Sequence, residues 1–550
     1  MQSMHRYTIR GMFSIRYHDQ VSHSNVSTSS PDDYDEWASQ GLEGWNYDDL
    51  DPYMRKAESF TTNPSQVALG ADDLTTHGKQ GPWQIGYSYL SGVTTSFLDA
   101  CAQAGFDRVD DINTFKGTNG AVRFQTFISK NGQRSSTATA YLAADVLARP
   151  NLRIATGQNV TRIIFDTSSR TPRAVGVELA SSALSLTRYL VRARAEVLLS
   201  AGAVHTPHIL KLSGIGPAAE LSAHNIPLVA DLPHVGANLA DHLICKVNTR
   251  VKPGLSVQHL THPLRGLVAL IEWLRYGTGA GTTNTAESAL FYRTADHPVS
   301  PSSSSAQEAL KVKDLSSGSR ASDMEILSCS AFYMDHGTKP ANLSLDYHSM
   351  GAILLRPQSR GSITLTSSSP FAKPLIRANY LSTPHDRDMM LHGLRTCQKI
   401  AETKAYKDVM VQWETPERGL EGMSDEEMLQ YVRSTSETIY HPMCTARMGM
   451  DEEGSVVDAR LRVHGVKGLR VVDASVFPEV LACHPVSYCL CSCYLSRSSC
   501  HVVLASLSSL LNPLSVYRQK EPPANTKQCA PVVMVAEKAA DMIKEDQRPT

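Results

Sequence analysis

Residues 195–216 read AEVLLSAGAVHTPHILKLSGIG. AEVLLSAG is a short apolar, β-branched run that reads as a strand. HTPHILKLS reads as the helix that follows, with Gly214 and Gly216 in the turn at its C-terminus. The same mixture continues outward in both directions. Upstream, NLRIATGQNVTRIIFD and AVGVEL supply strands, SFLDACAQAGF reads as a helix ending at Gly105, and SSTATAYLAADVLARP as a helix stopped by Pro150. Downstream, residues 300–319 are a Ser-rich surface loop and GSITLTSS is a strand. Thr383–Thr403 is a helix with Met389, Leu391, Leu394 and Ile400 at its apolar positions. GLRVVDASVFP is a strand running into a turn, and APVVMVAEKAADMIKED is a last helix with Pro531 in its first turn. Strands and helices interleave rather than segregate, so the fold class is α/β.

The chain has 550 residues, 42% hydrophobic and 19% charged, enough apolar sequence for a sizeable core and too much for wholesale disorder. A net charge of −1 leaves no electrostatic footprint for nucleic acid or an anionic membrane. No run of apolar residues is long enough to span a bilayer, and MQSMHRYTIRGMFSIRYHDQ has no apolar core of a signal peptide. Cytoplasmic location is the default expectation, and the sequons at Asn25, Asn159 and Asn342 decide nothing without an entry signal. Six of the eleven cysteines fall between Cys483 and Cys529. Cys489, Cys491, Cys493, Cys500 and His501 offer Cys-x-Cys spacing without a second well-spaced pair, which is too weak to assign a metal.

Two glycine-rich strings resemble a dinucleotide fingerprint only superficially. Gly277 to Gly281 follows IEWLRY, which reads as helix, and Gly214-Ile-Gly216 follows the helix HTPHILKLS. Neither sits between a strand and a helix, as a G-x-G-x-x-G turn must.

Three blocks together resemble the glucose–methanol–choline (GMC) family of FAD-dependent oxidoreductases. The first is SPDDYDEWASQGLEGWNYDDLDPYMRKAE. The second is GAVHTPHILKLSGIG followed by LPHVGANLADH. The third is IYHPMCTARMG, then VVDARLRVHGVKGLRVVDASVFP, Cys483-His484-Pro485 and APVVMVAEKAADMI. The resemblance covers about Val26–Val486 and Ala530–Glu545 and looks most like fungal members from secondary metabolism. It implies a GMC-type two-domain fold: a Rossmann-like FAD-binding domain, here truncated, and a substrate domain on an antiparallel sheet. The expected divisions are an unmatched lead (1–25), residual FAD domain (26–250), substrate domain (251–486), non-native insertion (487–529) and the C-terminal helix of the FAD domain (530–550). The insertion holds nine serines and five cysteines and reads as translated non-coding sequence. Cys444 stands where the family usually has Gly, which bears on the local turn.

By the same resemblance, the reaction is oxidation of a CH–OH group of a small-molecule alcohol, with hydride passing to the flavin. Such chemistry needs a base for the hydroxyl proton, a donor to the substrate oxygen and an electron sink. Histidine suits the first two because its ordinary pKa of about 6.5 makes both protonation states accessible. His441 and His484 occupy the two family positions, with His441 favoured as base. Val160 matches the strand that passes the adenine, or is an ordinary buried strand valine. Asp473 and Ala474 match the turn near the flavin ribityl and phosphate, although an Asx turn also explains Asp473. Ala530, Pro531 and Val532 open the helix whose N-terminus faces the flavin pyrimidine ring. His205, His208, His234 and His242 lie in matching motifs and read as structural. The alternatives are a non-redox lyase or cyclase on the same fold, or an inactive product. Because the glycine fingerprint is missing, the chain as written is expected to hold less than stoichiometric FAD. Flavin absorbance of the purified protein tests this, and a ratio near one FAD per chain would overturn it.

Overall fold

The computed structural model describes residues 25–61, 76–299, 312–339, 341–484, 502–505 and 530–547. The elements that position the site begin with helices α1 (Pro31–Ser39), α2 (Tyr47–Ala57) and α3 (Gly92–Gln103). Strands β1 (Gly120–Arg123), β2 (Asn159–Asp166), β3 (Arg173–Ala180), β4 (Tyr189–Arg192) and β5 (Val197–Ser200) lead into helix α4 (Gly202–Leu212). Then come β6 (Leu243–Val251), β7 (Ser288–Tyr292), β8 (Met324–Cys329), β9 (Asp346–Leu354) and helix α5 (Pro384–Ala401). Strand β10 (Met410–Thr415), helix α6 (Asp425–Thr435), strands β11 (Glu437–Thr438), β12 (Leu469–Val471) and β13 (Val502–Ala505), and helix α7 (Ala530–Asp546) complete the set. Local chemistry starts the helices. Ser30 and Asp33 form a capping box on α1 with Pro31 in its first turn, and Thr383 caps α5 ahead of Pro384. The stretch read as one helix before Pro150 is two short ones, Thr137–Tyr141 and Ala144–Leu147. Tyr141 and Leu142 turn inward and are buried, so tertiary packing overrides the run's helix propensity.

The large sheet is antiparallel, as the resemblance implies, in the order β10-β6-β9-β8-β7-β1 with β11 beside β6. Strand β6 pairs β9 from Leu243↔Leu354 to Val251↔Asp346. Alternation along each strand sends side chains to two covered faces. Leu290, Tyr292, Met324, Ile326, Met350 and Ala352 pack with Phe97 of α3 and Met389, Met390 and Leu394 of α5. Ala289, Phe291, Ile353 and Leu355 join Phe124, Ile244, Ile439 and Ala482 on the opposite face. Glu325, between Met324 and Ile326, belongs to that second face, where the site lies.

The remaining large core joins Trp37, Trp45, Val197, Leu198, Leu199, Val471, Met534 and Val535. Within it β5 is flanked in parallel by β12 on one side and β13 on the other. The expected insertion lies outside the described residues except for β13, whose backbone pairs with β5 from Val502↔Val197 to Ala505↔Ser200. The cysteine cluster at 489–501 is outside the described residues. Among the described residues no helix is long and apolar enough to cross a membrane.

One buried ion cluster ties the early elements together. His77 Nδ1 lies 2.6 Å from Glu58 Oε1 and Nε2 lies 2.6 Å from Asp111 Oδ2, while the ring stacks on Phe60. Burial pulls the His77 pKa down, but the hydrogen bonds to Asp111 and Glu58 outweigh it and push the value up to about 10. The ordinary histidine value is 6.5, so the stabilising charge is fully present below that pH and is lost as pH rises through 10. Thermal denaturation across this range is expected to show wild type losing stability that His77→Gln, less stable by about 3 kcal/mol near neutrality, does not lose. Parallel curves for the two proteins would refute it.

Candidate active site

Two of the motif blocks are zipped together. Residues 437–443 run antiparallel to 240–244, with Leu243↔Thr438 and Ile244↔Glu437 in register. Beyond the strand, Ile439 N–H donates to His242 O at 3.2 Å and Met443 N–H to Ala240 O at 2.9 Å. The Asp241 carboxylate accepts the His441 backbone N–H at 2.8 Å, Thr438 Oγ1–H at 2.5 Å and the Tyr380 hydroxyl. Burial raises its pKa to about 6 despite these donors. This arrangement fixes the His441 backbone. Its fully buried ring stands 5.0 Å from the His484 ring, centroid to centroid, at 82°. His441 Nδ1 is 2.9 Å from His242 Nδ1.

His484 arrives on the loop that follows residue 480. Its Nε2–H donates to Glu325, 2.9 Å and 3.0 Å from the two carboxylate oxygens. Phe124 and Phe291 present ring contacts to it at 5.7 Å and 6.4 Å. The loop is clamped from the other side. Ala482 N–H donates to Asp33 Oδ2 at 3.2 Å, and Arg356 Nη1 donates to Val480 O at 2.5 Å. Arg356 also reaches Glu36 at 2.7 Å and 2.9 Å, so α1, the end of β9 and the histidine loop share one buried charge network.

Asp473 is also fully buried. Its carboxylate accepts Gly202 N–H (2.9 Å), Thr206 Oγ1–H (2.5 Å), Ser475 N–H (2.8 Å) and Ser475 Oγ–H (2.5 Å). The side chain therefore makes the Asx turn and pins the start of α4. Ala474 O accepts Cys444 N–H at 3.2 Å, and Ser475 O accepts Ala446 N–H at 2.8 Å. The 473–475 turn is thus strapped to the segment just after His441. Cys444 takes φ 71°, the left-handed region that favours Gly. Ala530 and Val533 border a small cavity with Val26, Trp83, Phe127 and His77, while Val532 is buried in the large core. Pro531 is buried one residue into α7. Val160 stands apart on β2, paired with Leu179 and half-buried against the large core.

Sequence reasoning missed Glu325. In MEILSC a single Glu among alternating residues reads as a solvent-facing position, and nothing local marks the second face as covered. His242 was read as structural, and its contact with His441 spans 199 residues of sequence. His205 and His208 lie on α4, where burial lowers both values, His208 to about 4.

Two family models described as GMC oxidoreductase match the chain, over residues 22–244 and 357–491. The chain belongs to the GMC oxidoreductase family. It is similar to dehydrogenase str4 of Strobilurus tenacellus, 36% identical over 492 residues that cover 85% of this chain and 78% of that one. It is also similar to an oxygen-dependent choline dehydrogenase of Paraburkholderia xenovorans, 35% identical over 455 residues, covering 82% and 72%. An Aspergillus oryzae formate oxidase studied for its FAD modification superposes with a TM-score of 0.77 at 26% identity, over 96% of this chain and 82% of that chain. The GMC protein is therefore an enzyme of the dehydrogenase and oxidase type, and FAD is its cofactor.

The residues that would hold the reacting end of FAD, by the family pattern, are the paired imidazoles, the buried Asp473–Ala474 turn and the N-terminus of α7. Among the described residues no glycine-rich strand–turn–helix forms a pyrophosphate cradle. Because Glu325 holds His484 through a charge-assisted bond, Glu325→Gln is expected to lower kcat on the order of 10²-fold with KM little changed. Steady-state kinetics check this, and an unchanged kcat would remove Glu325 from the site.

Proposed function

We propose that this GMC enzyme oxidises the CH–OH group of a small alcohol, in fungal secondary metabolism. The observation that carries the reading is the buried His441–His484 pair, with one ring tied to a second histidine and the other to a carboxylate. Bound FAD supplies the two-electron sink that takes the carbinol hydride. His441 takes the hydroxyl proton, and His484, its Nε2–H held by Glu325, orients the substrate oxygen through Nδ1, which donates when the ring is protonated opposite that carboxylate. The ring edges of Phe124 and Phe291 exclude water beside His484, which strengthens both interactions. The choline dehydrogenase relative favours an alcohol over other donors, and the Strobilurus relative favours the fungal setting.

The test is anaerobic mixing of the flavin-loaded protein with primary, secondary and aryl alcohols while the flavin absorbance is followed. Bleaching by at least one alcohol is expected, slowed roughly 10²- to 10⁴-fold in His441→Ala. Absence of bleaching by every alcohol, in protein that dithionite still bleaches, would sink the proposal.

A further inference from the structure

The hydrogen bonds around His242 run in one direction only. His242 Nε2 lies 3.0 Å from Leu355 O, and a carbonyl oxygen only accepts, so Nε2 carries a proton. His242 is completely buried. Burial first, then the nearby His484 and Arg356, lower its pKa to about 3 against the opposing bond to Leu355. The ring is therefore neutral, and its Nδ1 holds a lone pair. His441 Nδ1, 2.9 Å away, must be the donor. In a neutral His441 the remaining lone pair is then on Nε2.

We propose that His242 is a positioning residue that fixes His441 in its Nδ1–H tautomer, leaving Nε2 as the atom that takes the substrate proton. The chain reads His441 Nδ1–H to His242 Nδ1, then His242 Nε2–H to Leu355 O, and it ends there because the carbonyl has no proton to pass on. This deepens the proposed oxidation and rests on His441 being its base. In the step, the alcohol O–H bond breaks and its proton joins the Nε2 lone pair. Bound FAD would supply the acceptor for the C–H electron pair as hydride, leaving the C=O of the product. The Nδ1–H bond stays intact throughout, so the imidazolium that forms already has an acceptor for its other proton. Asp241 does not compete for this role, because the atom it binds is the His441 backbone nitrogen.

Of the titratable and charged groups, Asp241 and His242, just before β6, and His484 contact His441 directly, Tyr440 precedes it in sequence, and Glu325, Tyr380 and Arg356 stand behind His484, Asp241 and His242 respectively. Of these, His242 is bonded to the His441 ring. A purely structural histidine would affect folding but not the tautomer of its neighbour.

The test uses protein labelled with ¹⁵N-histidine and long-range ¹H–¹⁵N NMR, with the His441 signals identified by their loss in His441→Gln. A protonated Nδ1 and bare Nε2 are expected, and the reverse pattern would overturn the proposal. In kinetics, His242→Leu is expected to lower kcat roughly 10- to 100-fold, with KM within a few-fold and the acidic limb of the kcat/KM pH profile, where the base is protonated, displaced. His242→Gln should recover most of the rate and the wild-type limb, because its amide accepts from His441 through Oε1 and donates to Leu355 through Nε2. His242→Leu with wild-type kcat and pH profile would also overturn it. If His242→Leu does not fold, the wild-type spectrum and His242→Gln still decide. Failure of every alcohol to reduce the flavin would sink the oxidation itself, and the tautomer would then stand or fall on the NMR pattern alone.

Discussion

The antiparallel pairing of 240–244 with 437–443 is the constraint on which the site depends. It brings two segments almost two hundred residues apart into hydrogen-bond register and places three acceptors and donors at once. Asp241 receives the His441 backbone, His242 meets the His441 ring, and the chain continuing from Met443 reaches the 473–475 turn. Tyr440, within the stretch, and Cys444, just past it, both take positive φ. For a residue with a Cβ, that conformation costs roughly 1–2 kcal/mol relative to a right-handed one, and the buried bonds on either side offset it.

The second histidine is held by charge rather than by pairing. Arg356 joins Asp33, Glu36 and the carbonyl of Val480, so the loop carrying His484 is anchored to a helix near the start of the described chain. Burying these ions is tolerable only because each is met by opposite charge or by several donors. Asp33 alone accepts from Ser29, Ser317, Arg356 and Ala482. Glu325 reaches the same loop from the sheet. The pair is therefore assembled from a strand-paired half and an ion-clamped half.

Much of this was legible in the residues. The interleaved periodicities gave the α/β class. The helices at α3, α4, α5 and α7 follow from apolar spacing, caps and prolines, and His441 and His484 stood out by motif. The helix before Pro150 was misread as continuous, because burial of Tyr141 and Leu142 is a tertiary effect that helix propensity does not encode. The unusual Cys444 was visible as a departure from the family pattern, and the structure supplies its meaning, a left-handed turn strapped to Ala474. Glu325 was invisible, since a carboxylate at an alternating strand position looks like a solvated one until both faces of the sheet are known to be covered. Asp473 carried two readings. Its carboxylate is satisfied internally by four donors, which makes the Asx turn the reading the structure shows directly.

By itself the sequence determined the family, the kind of elements and the two imidazoles of the candidate site, because these depend on local spacing and on motifs contiguous in the chain. Only the tertiary structure decided which groups those imidazoles face. Proton direction along Leu355, His242 and His441, and the carboxylate beside His484, arise from contacts between residues distant in sequence. Hydrogen bonds act over about 3 Å of space, and the chain's order does not record which distant atoms folding will bring that close.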